Sequence, residues 1–498
     1  MQAMNWNPNW NWADLNLTVA APEIVLLAGL FYVLLADLWT SDKNRYITHW
    51  MSIGVLLGAA FGQWAVWQDG AVSAFEGMYV ADGLSQLTKI AVYLGTAALF
   101  VYAKPYNQMR GIYKGEFYTL ALFAVSGMSV MISANHFLSA YLGLELLSLA
   151  LYAMIAFRRD SVVASEAALK YFVLGALASG LLLYGISMVY GATGTLQFDQ
   201  IITLSQAGAV NGWLLKLGVL FIVAAVAFKF GAVPFHMWVP DVYQGAPTSV
   251  AAFAGSVPKI AATVFAFRIL VTGFALQKGD WQVMFAILAV LSLLVGNLAA
   301  IMQTDIKRMF AFSTVSHMGF ILLAFLGSVI GVQAAVYYAL AYALMALAGF
   351  GVLMLLSRDN HECTELSHLA GLNQRNAWYA FVMLLVMFSM AGIPPLMGFY
   401  AKFAVLKALI TASPYAWTLP VAVFAVVMSL VGAFYYLRVV KIMYFDEKSD
   451  DAPIESEGFA KLLLSANALL LLVWGMAPDR LMTWIELAVK HTGLSIGG

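Results

Sequence analysis

Three lysines stand where an apolar chain is costliest to charge, and each lies close to a helix breaker. Lys229 is in Phe228-Lys229-Phe230-Gly231-Ala232-Val233-Pro234-Phe235-His236, Lys259 follows Pro258, and Lys402 follows Ile393-Pro394-Pro395. A charge at the centre of a hydrocarbon layer costs roughly 2.5–3.5 kcal/mol even on a lenient insertion scale. A proline there frees a backbone carbonyl that only protein or water can satisfy. Lysine beside a broken helix, repeated along the chain, is the pattern of an ion path. Burial makes a lysine a readier proton donor, so Lys229, Lys259 and Lys402, linked by water, would pass protons laterally. The competing reading is that each only holds freed carbonyls at a break.

Glu145 supplies the opposite charge. It sits near the centre of an apolar run, with no other charge within a helical turn. A lone buried charge is disfavoured and an opposite charge nearby restores it, so a pair with Lys170 or with Lys229 is expected. His236, just after Pro234, and His317, in the middle of its run, suit a relay because an unperturbed imidazole titrates near physiological pH; a hydrogen-bonded core histidine is the plainer alternative. Lys89, Lys216, Arg268 and Lys407 lie nearer the ends of their runs and are expected to snorkel. Asp305, beside Lys307 and Arg308, reads as a helix cap.

The elements that must position these groups are membrane helices. The chain has 498 residues, 62% hydrophobic and only 10% charged, against about 25% charged in soluble domains. Net charge is zero, which gives no case for nucleic-acid binding. The single Cys363 excludes a disulfide framework or a cysteine-ligated cluster within one chain. The sequence has neither a dinucleotide-binding nor a P-loop motif, nor metal-spaced His and Cys. The polar, Asn- and Trp-rich stretch from Met1 to Asn16 has no Lys or Arg, so it does not read as a secretory signal.

Runs of about 20 apolar residues are needed per span, and the chain offers about 14. The run from 377 to 411 is too long for one span and reads as one broken helix. Basic residues fix the orientation: fifteen lie in loops after odd-numbered helices, three on the opposite side, and eight within or at the ends of spans. The first loop is then cytoplasmic and both termini face outward. The outer loop 191–211 could hold a short amphipathic segment, and the inner loop 358–376 suits solvent or a partner. The acidic loop 446–458 reads as a solvated connector, and the tail after Pro478 as an interfacial helix.

Two proline-broken, lysine-bearing spans lie five helices apart. An odd number of helices per block inverts the second block against the first, and such repeats place ion sites at broken helices near the midplane. The expected architecture is an all-α membrane protein with two inverted five-helix repeats, each with a broken helix. Residues 1–115 form a leading three-helix segment, 116–274 and 281–444 the two repeats, and 445–498 a last helix with an outer tail.

Three motifs carry a family resemblance: Trp238-Val239-Pro240-Asp241-Val242-Tyr243-Gln244-Gly245-Ala246-Pro247-Thr248, the stretch from Gln303 to Gly319, and Ala391-Gly392-Ile393-Pro394-Pro395-Leu396-Met397-Gly398-Phe399-Tyr400-Ala401-Lys402. Together they make the chain similar to the antiporter-like membrane subunits of respiratory complex I, over nearly its whole length. Gln244 departs from the glutamate common there. The resemblance implies 14 helices and a proton path whose matching positions are Glu145, Lys170, Lys229, Lys259 and Lys402. It implies no NADH, flavin or iron–sulfur cluster in this chain; those, with quinone, would belong to partner subunits. It also implies sister antiporter-like subunits and small membrane subunits as partners, in a bacterial cytoplasmic membrane. The alternatives are an Mrp-type Na⁺/H⁺ antiporter subunit, against which a lysine-rich core argues, and a scaffold that transports nothing.

Overall fold

The computed structural model describes residues 15–358, 362–448, 454 and 458–492. The polar stretch before Leu15, His361 and most of the acidic connector, including Asp450, Asp451, Glu455 and Glu457, lie outside the described residues. Three helices lead: α1 (Ala21–Leu38), α2 (Tyr46–Ala65) and α3 (Gly83–Met109), with a hairpin of β1 (Val72–Ala74) and β2 (Tyr79–Ala81) between the last two. The first block follows as α4 (Gly115–Ser133), α5 (Phe137–Ile155), α6 (Val162–Thr193), the short α7 (Phe198–Gln206), α8 (Gly212–Phe230), α9 (Trp238–Gly245), α10 (Thr248–Gly255) and α11 (Val257–Ala266). A π-helical stretch, Phe267–Gly273, extends α11. The second block is α12 (Lys278–Ile301), α13 (Ile306–Ala324), α14 (Ser328–Leu356), the short α15 (Leu372–Arg375), α16 (Ala377–Ala391), α17 (Met397–Thr411) and α18 (Thr418–Phe445). Then come α19 (Gly458–Met476) and α20 (Pro478–Lys490).

Eleven helical stretches among the described residues are long and apolar enough to cross a membrane. The other three expected columns are shorter or more polar. Thr48, His49 and Gln63 interrupt α2, Lys307, Arg308 and His317 interrupt α13, and a break divides α16 from α17. Side-chain caps start several helices: Asp82 and Ser85 form a capping box at α3, while Asn211, Asp305 and Asn376 cap α8, α13 and α16. Such caps satisfy amides that have no partner within the helix.

The two blocks use the same devices. In the first, α4 and α5 meet backbone to backbone, where a Cβ added to Gly127 would lie 2.6 Å from Gly143 O. In the second, a Cβ on Gly296 of α12 would lie 2.7 Å from the Ser316 amide of α13. Small residues allow this approach where lipid gives helices no hydrophobic reason to associate. The Thr248–Gly273 column is wholly buried and α14 nearly so, while α1, α6 and α19 keep most of their apolar surface outward.

One end of the bundle carries the hairpin, α7 and α20. Gln197 Nε2 donates to Glu76 O at 3.1 Å, and a Cβ on Gly83 would touch Ala488. The loop 191–211 does hold a short helix, α7, with Phe198 and Ile201 turned inward. The tail after Pro478 is the helix α20, with Leu481 and Ile485 buried and Trp484 exposed.

Candidate functional site

The first break separates α8 from α9. Gly231 turns there at φ +77° and the Val233–Pro234 bond is cis. The last four carbonyls of a helix have no partner inside it, and here each finds a donor. Ala232 N–H donates to Ala227 O at 2.9 Å. Gly231 N–H and Trp238 Nε1 donate to Phe228 O at 2.9 and 3.0 Å. Lys259 Nζ, arriving from α11, donates to Phe230 O at 3.0 Å and to Lys229 O at 3.4 Å. Its ammonium also lies 5.1 Å from the Trp238 ring. The freed Val233 amide donates to Ser292 Oγ of α12 at 2.9 Å, so the second block helps to hold the first block's break.

The second break, between α16 and α17, has the same plan. Gly392 turns at φ +88°, and the Pro394–Pro395 bond is cis. Lys402 Nζ reaches back to donate to Ala391 O and to Ser429 Oγ of α18, each at 2.9 Å. A Cβ on Gly392 would lie 3.0 Å from Lys402 Cδ, so this position needs glycine for its backbone and for the lysine's approach. In its role on the backbone, Lys402 therefore matches Lys259. The sequence pairs Lys229 with Lys402, but Lys229 precedes its break and Lys402 follows its own.

Lys229 is buried and donates to Ser148 Oγ of α5 at 3.1 Å. Glu145 lies one helical turn from Ser148 and accepts from Ser179 of α6. It interacts with Lys229 through space rather than in contact. Neither expected contact pair forms. Lys170 points away from Glu145, to Glu166 at 2.8 Å and Asp241 at 2.9 Å, and its side chain is 46% exposed. Asp241 also pairs with Arg308 at 2.9 Å. Lys170 thus belongs to a half-solvated ion cluster at the end of the bundle opposite the hairpin.

Between the breaks lies a buried cluster of hydroxyl groups around one imidazole. His317 Nδ1 is 2.7 Å from Tyr338 Oη on α14, and Nε2 is 3.0 Å from Tyr436 Oη on α18. Tyr436 bonds Ser313, and Thr314 Oγ1 lies 2.6 Å from Tyr342 Oη. The Phe320 ring stacks on Tyr338 and has Lys402 Nζ 5.4 Å from its centre. His317 therefore sits between the two breaks as both a relay candidate and a satisfied core histidine. Sequence reasoning missed the tyrosines. Their one signal was position: Tyr338 and Tyr342 are four apart on one helix face, inside an apolar run. His236 lies in the first break, with Nδ1 buried and unbonded and the ring 6.4 Å from Phe312.

The loop after α14 is less solvent-facing than its polarity suggests. Glu362 accepts from Tyr106 Oη at 2.7 Å and Thr248 Oγ1 at 2.6 Å, and pairs with Arg110 at 3.3 Å and Lys307 at 3.6 Å. Burial opposes its charge, but Lys307, the two hydroxyls and Arg110 prevail and hold the carboxyl down to about 2. Lys307 and Glu362 line a polar cavity of about 160 Å³ together with Arg110 and Arg158.

Two lysines behave as expected at the ends of their helices: Lys216 and Lys407 are exposed. Two other cations do not. Lys89 and Arg268 are buried at the hairpin end, Lys89 against Glu23 and Arg268 against Asp82 at 2.6 Å. Snorkelling fails for them because the leading helices cover that end and supply buried carboxylates.

Residues 134–432 match a family model described as NADH:quinone oxidoreductase/Mrp antiporter, transmembrane. Proteins named NADH-quinone oxidoreductase subunit N are similar along nearly the whole length. That of Neisseria gonorrhoeae is 64% identical over 97% of this chain and 100% of its own, and that of Nitrosomonas europaea is 50% identical over 96% and 98%. Among solved structures, a chain of respiratory complex I from Thermus thermophilus superposes with a TM-score of 0.79 at 30% identity, covering 94% of this chain and 100% of that one. A chain of the Mrp complex from Dietzia, with a TM-score of 0.79 at 21% identity and 96% coverage of each chain, has the same fold.

Proposed function

The chain belongs to the membrane family shared by NADH:quinone oxidoreductases and Mrp antiporters, and on that premise we propose how it works as a proton-translocating, antiporter-like subunit of respiratory complex I. Electron transfer from NADH to quinone takes place in partner subunits, which hold the flavin, iron–sulfur clusters and quinone. This chain does no redox chemistry of its own. It lies in the bacterial cytoplasmic membrane with both termini outward, as its basic residues distribute.

Protons move along Glu145, Lys229, Lys259, the His317 hydroxyl cluster and Lys402. Lys170, with Asp241, sets the charge at the inner end, and His236 offers an open ring nitrogen at the first break. What supports this reading is that both breaks are held by lysines, with hydroxyls and an imidazole buried between them. Moving one charge against 100 mV takes about 2.3 kcal/mol, which a change of roughly two pKa units in a buried group supplies. A shift of Glu145 relative to Lys229, driven from the partner subunits, is the natural source of that change.

One observation separates this from sodium transport. Unwound carbonyls at broken helices are the oxygen ligands a sodium ion uses, and here Lys259 and Lys402 already occupy them.

The test is Lys259→Met in the assembled complex, reconstituted in vesicles. Proton uptake per NADH oxidised should fall severalfold while electron transfer to an artificial acceptor persists. Normal uptake would overturn the proposal.

A further inference from the structure

The leading helices carry a buried acid–base group that the path above does not use. Lys89 of α3 has no exposed side-chain surface and pairs with Glu23 of α1, which keeps 10% of its own. The phenol of Tyr79, in β2, bridges the two: Lys89 Nζ donates to Tyr79 Oη at 2.8 Å, and Tyr79 Oη donates to Glu23 Oε2 at 2.9 Å. An ion pair that only fastened α1 to α3 would need no hydroxyl between its members.

Polar residues continue inward from Lys89. On α3, Lys89, Tyr93 and Thr96 share one face, and on α4 so do Ser126, Ser129 and Ser133. Tyr93 Oη and Ser129 Oγ join the two faces at 2.9 Å. Ser133 lies beside the Tyr79 phenol. A Cβ on Gly95 would lie 3.2 Å from Val257, which puts the Tyr93–Thr96 turn of α3 level with the start of α11, where Lys259 stands. The other charges facing this group are Asp82 and Arg268, and they satisfy each other in a two-pronged ion pair.

We infer that Glu23, Tyr79 and Lys89 form a second proton-holding site, at the outer end of the leading helices and separate from the line between the breaks. The inference rests on the proton-transport reading. In the transfer, an N–H bond of the Lys89 ammonium breaks as an O–H bond forms on Tyr79, and the phenol's own proton passes to Glu23. Amine, phenol and carboxylic acid are left, all neutral, and nothing is oxidised or reduced. Of the end members, Glu23 alone keeps exposed side-chain surface, so it is the group that releases the proton.

The deciding variant is the double substitution Lys89→Met with Glu23→Gln. Replacing both members of a buried ion pair is often neutral or stabilising, whereas removing one leaves a charge unpaired, so a purely structural pair should be dispensable as a pair. Assembly is read on a native gel and pumping as protons per NADH in vesicles, beside Tyr79→Phe and, as a control, Lys229→Met. The expected result is an assembled double variant that pumps at half the normal ratio or less, with a smaller loss in Tyr79→Phe. Full pumping by the double variant with a defective Lys229→Met overturns this inference alone. Full pumping by both overturns the transport path as well. A double variant that fails to assemble, beside a Tyr79→Phe variant that assembles and pumps normally, also overturns the inference, and a Tyr79→Phe loss of pumping in that case upholds it.

Discussion

At the scale of single residues, the buried lysines at the breaks were legible because a charge in hydrocarbon is too costly to be accidental. Their partners were not. Sequence places Glu145 and Lys170 in neighbouring spans, but it does not give the rotation of one helix against the next, and α6 turns Lys170 to Asp241. The tyrosines around His317 were hidden for a different reason: their rings count as apolar until the fold brings the hydroxyls together. Glu362 gives a residue-scale prediction. Its carboxyl is held at about 2, against 4.5 for an ordinary glutamate. Its contribution to stability is therefore complete above pH 4.5 or so and is lost as the pH falls toward 2. The full effect is roughly 3 kcal/mol. Thermal melts of the detergent-solubilised protein should show this acid loss between those limits, and Glu362→Gln should remove it while lowering stability at neutral pH. An unchanged acid profile in the variant would contradict the clamp.

At the scale of elements, the prolines announced both broken helices. The helices end earlier than the prolines, however, at Gly231 and Gly392, because a left-handed turn has to come first. The interruption at Ser256 was signalled by Pro258 at the start of α11, but the π-helical stretch Phe267–Gly273, which packs against α7 and α12, had no comparable signal. Lys89 and Arg268 were misread at this scale too. Nearness to a helix end suggests escape to water only if no other element covers that end. Gly392→Ala tests the second break. A Cβ at φ +88° costs about 1–2 kcal/mol for the backbone, and it crowds Lys402 Cδ at 3.0 Å. The variant should assemble with a lowered melting temperature and pump less than wild type. Pumping at the normal ratio would show that the lysine's seat at this break is not needed for transport.

For the whole molecule, composition and the length of the apolar runs were enough to read an all-helical membrane protein, because both are averages over many residues, whereas the expectation of two five-helix blocks rested on the spacing of two broken, lysine-bearing spans. The orientation proposed from the basic residues can be checked with thiol labels. The native Cys363 is enclosed, and burial pushes its thiol up to about 12. It stays protonated at working pH and does not react, since the thiolate is the nucleophile. Lys43→Cys and Asp69→Cys, both at exposed loop positions, should then label from opposite sides: Asp69→Cys with an impermeant maleimide on intact cells, Lys43→Cys only in inverted vesicles. The reverse pattern would invert the topology. The carbonyl-holding lysines have a further consequence for an idle membrane. An uninterrupted row of carriers would be a short circuit, draining the gradient whenever electron flow stopped. Lys259 and Lys402 hold their helix ends with charge-assisted hydrogen bonds, and a proton that leaves either one weakens its grip on the freed carbonyl, because a neutral amine is the poorer donor. On the proposed path each break would then act as a turnstile, locked by the backbone it holds, with current passing only when the machinery elsewhere moves the lock.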